Sequence, residues 1–167
     1  MRAFFYDTWA FLALANAADR WHALSVEADR KLEARGYVAV TSDYILDETI
    51  TSLHVQAGYP VAERFLDIVE ARVRGKDLLL VEVSAPRRER ALALFRRLGP
   101  DSPRLSFTHC TSFAIMRELG IRSAFTADAD FHRAGGGVRP LLLGRGRTLH
   151  LELPDGSSRA AGPKAGI

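Results

Sequence analysis

LSFTHCTSFAIMRELGIRSAFTADADF, residues 105–131, joins a polar helix start, an apolar helix, a short strand and an acidic turn in one run. Ser106, Thr108, Thr111 and Ser112 crowd the first turns of the expected helix. Cys110, Phe113, Ala114 and Met116 form its apolar part, and Gly120 can stop it. A strand over 123–127 follows at once and is broken by Asp128. Open α/β sheets hold their ligands just beyond the C-terminal ends of strands, so Asp128 is the first candidate functional residue.

The same pattern of strand and then acid opens the chain. Residues 3–6 are apolar, and Asp7-Thr8 follows. Taken alone, Asp7 is the cap of a helix starting near Trp9, the start of a site, or both. Between these two points, strands and helices alternate. A helix is expected over 19–35, a strand over 37–41, a helix from Ser42 or Asp43 to Ala57 and another over 61–74. A covered strand over 78–83, an arginine-rich helix after Pro86 and a last strand over 138–143 complete the series. Such alternation predicts an α/β fold, a three-layer α/β/α sandwich around a central, mainly parallel sheet.

In the helix ending at Ala57, the stripe Leu46, Ile50, Leu53 and Ala57 places Glu48 on the opposite side, so periodicity alone leaves Glu48 as a solvated residue. Asp7 and Asp128 sit on separate elements, each just past the end of a strand. Carboxylates brought together there repel one another unless a cation joins them. Mg²⁺ takes oxygen ligands and needs no histidine or cysteine cage, so a few acids from different elements suffice to hold it.

The chain of 167 residues is 47% hydrophobic and 26% charged, which fits one soluble domain over 1–145 and a C-terminal extension over 146–167, flexible from about 154. The sequence suggests no leader and no apolar run of membrane-spanning length, so a cytoplasmic address without membrane contact is expected. The single cysteine, Cys110, excludes an internal disulfide and reads as packing. His22, His54, His132 and His150 lack metal-ligand spacing, and no serine sits in a nucleophile elbow. A formal net charge of +3 suits an anionic partner, with Arg87, Arg88 and Arg90 and the later Arg139, Arg145 and Arg147 as the two candidate phosphate-binding clusters. Their plainer reading is a solvated face.

Three segments together resemble the PIN-domain ribonucleases, the family of the VapC-type toxins. They are Asp7-Thr8 after the first strand, TSDYILDET over 41–49, and SFTHCTSF over 106–113 leading to Asp128. The resemblance covers about residues 3–143. It implies a metal-dependent endoribonuclease hydrolysing RNA phosphodiesters with Mg²⁺ or Mn²⁺, held by Asp7, Glu48 and Asp128. It also implies a homodimer restrained by a small cognate antitoxin. The family pattern has Asp where this chain has His109, so the resemblance implies a site impaired or retuned there. Imidazole suits Mn²⁺ or Zn²⁺ better than Mg²⁺, and Asp130 can return part of the missing negative charge. The alternative is a catalytically inactive PIN-like domain that binds RNA or protein.

Overall fold

Strand β1, Ala3–Tyr6, lies at the centre of the molecule because Phe4, Phe5 and Tyr6 have apolar surface to bury on both faces. The computed structural model describes residues 2–128, 130 and 131 with their side chains, and the backbone of strands at 139–140, 142–145, 148–152 and 158–161. After β1 come helices α1 (Thr8–Ala15) and α2 (His22–Ala34), strand β2 (Val38–Ser42), and helices α3 (Asp43–Ala57) and α4 (Tyr59–Gly75). Strand β3 (Leu78–Val81), helix α5 (Ala85–Leu98), a 3-10 turn at Gly99–Asp101, helix α6 (Phe107–Leu119) and strand β4 (Ser123–Phe125) follow. Strands β5 (Arg139–Pro140), β6 (Leu142–Arg145), β7 (Thr148–Glu152) and β8 (Ser158–Ala161) complete the order.

The central sheet runs β3-β2-β1-β4-β5, and every pairing in it is parallel. Phe5 stands opposite Val40 on one side and Ala124 on the other, so the C-terminal ends of β1, β2 and β4 share one edge. Helices cover both faces, α5 packing on α6 while α1 packs on α2 and α3, and α3 on α4. This is the α/β/α sandwich that the alternation predicts. The apolar run expected as a covered strand over 78–83 is instead β3 at the sheet edge, where Leu79 and Leu80 stay 41% and 39% exposed because no strand flanks them on the outer side.

The strand expected over 138–143 is divided. Arg139–Pro140 adds to the central sheet, and Leu142–Arg145 begins a separate antiparallel sheet of order β6-β7-β8. Pro140 lacks an N–H, which restricts β5 to an edge position. Strands β7 and β8 fall within 146–167, where the sequence offers few large apolar residues and no element was expected.

A buried network fastens the helices of one face to β1. The Tyr6 hydroxyl donates to Asp29 Oδ1 at 2.6 Å, and Arg72 of α4 pairs with the same carboxylate at 3.3 Å. Burial, first, and then the Asp29 charge push the Tyr6 phenol well above its ordinary pKa, so it remains a donor. Between α3 and α4 the chain turns at Gly58 with φ 87° and ψ 163°, a region essentially reserved for glycine. Gly58→Ala should therefore destabilise the fold by about 1–3 kcal/mol, read by denaturant titration, even though its Cβ would meet only ordinary contacts.

Candidate active site

Asp7 ends β1, and its N–H donates to the Phe125 carbonyl of β4 at 3.3 Å, the last rung between the two strands. It precedes α1 in extended conformation, as a cap does, yet its side chain makes no capping hydrogen bond. The carboxylate turns across the strand ends instead, where Thr126 Oγ1 donates to Asp7 Oδ2 at 2.8 Å. Asp7 thus holds the N-cap position of α1 while its carboxylate faces the strand ends.

Only 3% of Asp7 is exposed, and burial raises its pKa from 3.8 to about 6. The nearby His109, the Thr126 hydroxyl and the Thr8 amide pull in the opposite direction, while the Asp128 charge adds to the rise. Asp7 is thus a buried acid whose ionised form is disfavoured by its surroundings.

Thr126, unremarked in the sequence, links two acids. Besides donating to Asp7, its Oγ1 accepts the N–H of Asp128 at 3.0 Å. The only signal for it was its position, directly after β4 and two residues before the acid. Asp128 Oδ1 accepts the N–H of Asp130 at 2.8 Å, which curls the acidic turn back on itself. Phe131, fully buried, anchors that turn by packing edge-on against Phe113 of α6 at 5.0 Å and against the His109 ring at 5.5 Å.

His109 enters from the first turn of α6. Ser106 caps this helix by accepting the His109 N–H at 3.0 Å, and the Ser106 N–H in return donates to His109 Nδ1 at 3.5 Å. That is a capping box with histidine in the place usually held by Glu or Gln. Nε2 then lies 3.3 Å from Asp128 Oδ2, and Nδ1 lies 3.9 Å from Asp130 Oδ2. Among the described residues, His109, Asp128 and Asp130 form a group whose potential ligand atoms all lie within 4.8 Å of one another.

Glu48 needs a correction. The buried stripe of α3 is Ile45, Thr49 and Leu53, not the stripe centred on Leu46 and Ile50. At about 100° per residue this rotates the helix by roughly one position and brings Glu48 from the far side to the flank. The residue is exposed, and its Oε2 accepts from Thr8 Oγ1 at 3.1 Å. Thr8 adjoins Asp7, so Glu48 stands at the rim, outside the tight group around His109.

The remaining candidates divide. Arg87 and Arg90 both pair with Glu118 at 2.6 Å, and the neighbouring Arg88 is exposed. The side chains of Arg139, Arg145 and Arg147 lie outside the described residues, as do those of His132 and His150 and the glycine-rich stretch over 132–138. His22 Nδ1 meets the Ala13 carbonyl at 2.9 Å, and His54 packs on Tyr59; neither approaches the site. Cys110 is buried, and burial pushes its thiol up to about 11, which removes it as a nucleophile.

Acids at the C-terminal ends of adjacent parallel strands, closed by the first turn of a helix, gather hard oxygen donors with one imidazole beside them, the donor types that hard divalent cations take. The model of the PIN domain matches residues 4–137, and the chain belongs to the PIN-domain family, in its VapC-type branch. It is 36% identical over 132 residues, 78% of this chain and 93% of the relative, to the 23S rRNA-specific endonuclease VapC20 of Mycobacterium tuberculosis. The crystal structure of that protein, described as a sarcin-ricin loop cleaving toxin, superposes with a TM-score of 0.65 at 33% identity, covering 82% of this chain and 99% of its own. VapBC2 from Rickettsia felis, solved bound to a DNA fragment from its promoter, shares the fold with a TM-score of 0.58 at 15% identity, over 79% of this chain and 92% of its own. Among the described residues, no helix is long and apolar enough to cross a membrane.

Proposed function

We propose that this chain is a metal-dependent endoribonuclease of the VapC toxin kind, acting in the cytoplasm on a structured ribosomal RNA. The observation that carries the reading is the buried Asp7 carboxylate tied through Thr126 to the Asp128 turn, at the strand edge where a ligand is held. VapC20, at 36% identity, supplies the substrate class, since it is named a 23S rRNA-specific endonuclease and its crystal structure is described as that of a sarcin-ricin loop cleaving toxin. Those names also give the non-catalytic binding module no support.

The residues present fit a divalent cation. Asp7 is an acid buried without a cationic side chain hydrogen-bonded to it, and Asp128 offers a half-exposed carboxylate beside it. Asp7 and Asp128 would hold Mg²⁺ or Mn²⁺, with Glu48 joining from the rim. When bound, such an ion relieves charge on a phosphodiester oxygen and makes an attacking water more acidic. Thr126 fixes the two acids relative to each other, Thr8 holds Glu48 toward them, and Phe131 keeps the acidic turn closed against α6. A small antitoxin protein and a second copy of the chain are the proposed partners, by analogy with the VapC family.

The test is cleavage of a sarcin-ricin-loop RNA across a Mg²⁺ and Mn²⁺ series. Metal-dependent scission lost in Asp128→Asn supports the reading, and scission that persists in EDTA overturns it. RNA contact should be salt-dependent. Because Glu118 neutralises part of the α5 cluster, replacing Arg87, Arg88 and Arg90 together by alanine should lower the salt slope by about two rather than three units. Unchanged low-salt affinity would leave these arginines as solvated surface.

A further inference from the structure

We infer that His109 is a hydrogen-bond donor that positions Asp128, and is not itself a metal ligand. The inference deepens the metal-dependent reading above and rests on it. A neutral imidazole carries one N–H and one lone pair, on different nitrogens. A backbone N–H can only donate, so the ring nitrogen that receives the Ser106 N–H must be the one with the lone pair. That nitrogen is Nδ1, at 3.5 Å. The ring proton is thereby assigned to Nε2, which faces Asp128 Oδ2 at 3.3 Å.

Nothing around the ring favours the opposite tautomer. Asp130 Oδ2, the acceptor nearest to Nδ1, is 3.9 Å away and too far for a hydrogen bond. Phe131 packs edge-on against the imidazole and Phe113 lies 6.3 Å from it, and the side chain is only 13% exposed. For Nε2 to ligate a cation, the proton would have to move to Nδ1. The helix would then lose a capping bond, and Asp128 would lose its donor.

In this assignment Asp128 Oδ1 accepts the Asp130 N–H and Oδ2 faces the Nε2–H of His109 at 3.3 Å. His109, Asp128 and Asp130 lie within 4.8 Å of one another, close enough for the ring to orient the acid. His109 therefore does not retune the site toward nitrogen-seeking metals. The cation falls to the carboxylates, and the site keeps the preference of an oxygen shell.

Two measurements on the full chain test this. Long-range ¹H–¹⁵N NMR at pH 8.5 should find His109 as the Nε2–H tautomer, both metal-free and with Zn²⁺ as a diamagnetic probe. The Nδ1–H tautomer, or a zinc-induced shift of Nε2, would overturn the inference. Calorimetric Mn²⁺ titration should show His109→Ala binding about tenfold more weakly, as loss of a partner that orients a ligand does. His109→Gln should recover to within about threefold, because its amide supplies both the acceptor for Ser106 and a donor for Asp128. Equal loss in both variants would make His109 a ligand, and no loss in either would make it a helix cap alone; both outcomes contradict the inference. If the parent binds no divalent ion, the metal-dependent reading fails by itself, and the tautomer still decides the role of His109.

Discussion

Asp7→Asn should make the metal-free protein more stable at pH 7.5 and remove its RNA cleavage. The native pKa of about 6 against 3.8 for a free carboxyl means that the folded state binds this proton more tightly than the unfolded state. The benefit is complete below about pH 4 and is lost as pH rises through 6. Above that the ionised group destabilises the fold by up to about 3 kcal/mol, from roughly two pH units at 1.36 kcal/mol each. Asparagine has the same shape, no charge, and an oxygen that can still accept from Thr126. The variant should therefore gain stability over the parent at pH 7.5 and none at pH 4, as measured by denaturant titration at both values. Cleavage should fall by at least about 100-fold, the lower end of what losing one electrostatic stabiliser costs. Saturating Mn²⁺ should close the stability gap by stabilising the parent only. A variant no more stable at pH 7.5 would show that Asp7 is not held against its own charge.

The outline of this site was legible because its acids stand at strand ends, and strand ends are marked by hydrophobic runs that stop. Asp7 and Asp128 were found that way, and the resemblance added Glu48. The position of Glu48 was harder to read. On α3 the buried stripe includes Thr49, a polar residue that a hydrophobic pattern skips, so the helix was read about one position out of phase. Thr126 escaped notice for a related reason, since a hydroxyl that joins one acid's carboxylate to another's backbone N–H looks like any strand-end threonine until the strands are paired, and Thr8 was read only as the neighbour of Asp7. The edge position of β3 was likewise invisible, because Leu78–Val81 reads as an unbroken apolar run wherever the strand falls in the sheet.

His109→Asp should raise Mg²⁺ affinity by about tenfold or more, and cleavage with it, by adding an oxygen ligand and a unit charge a few ångströms from Asp128. The helix accommodates it. An acidic side chain at this position can take the Ser106 N–H as His109 does and lies at the favourable end of the α6 dipole, worth about 0.3–1 kcal/mol. Three carboxylates would then crowd the turn without a counter-charge, so the metal-free variant should melt lower than the parent and rise further on adding Mg²⁺. Thermal melts with and without Mg²⁺, beside a cleavage assay in which Asp7→Asn controls for contaminating nuclease, read both effects. A variant that neither binds Mg²⁺ more tightly nor cleaves faster would show that the imidazole withholds nothing from the site.

The central claim is that Asp7 and Asp128 share a divalent cation, and anomalous diffraction from a crystal soaked in Mn²⁺ tests it most directly. The account predicts one strong peak about 2.0–2.3 Å from a carboxylate oxygen of each residue, within the range of hard-cation bonds to oxygen. No peak at saturating Mn²⁺, or a peak held by other residues, would contradict it.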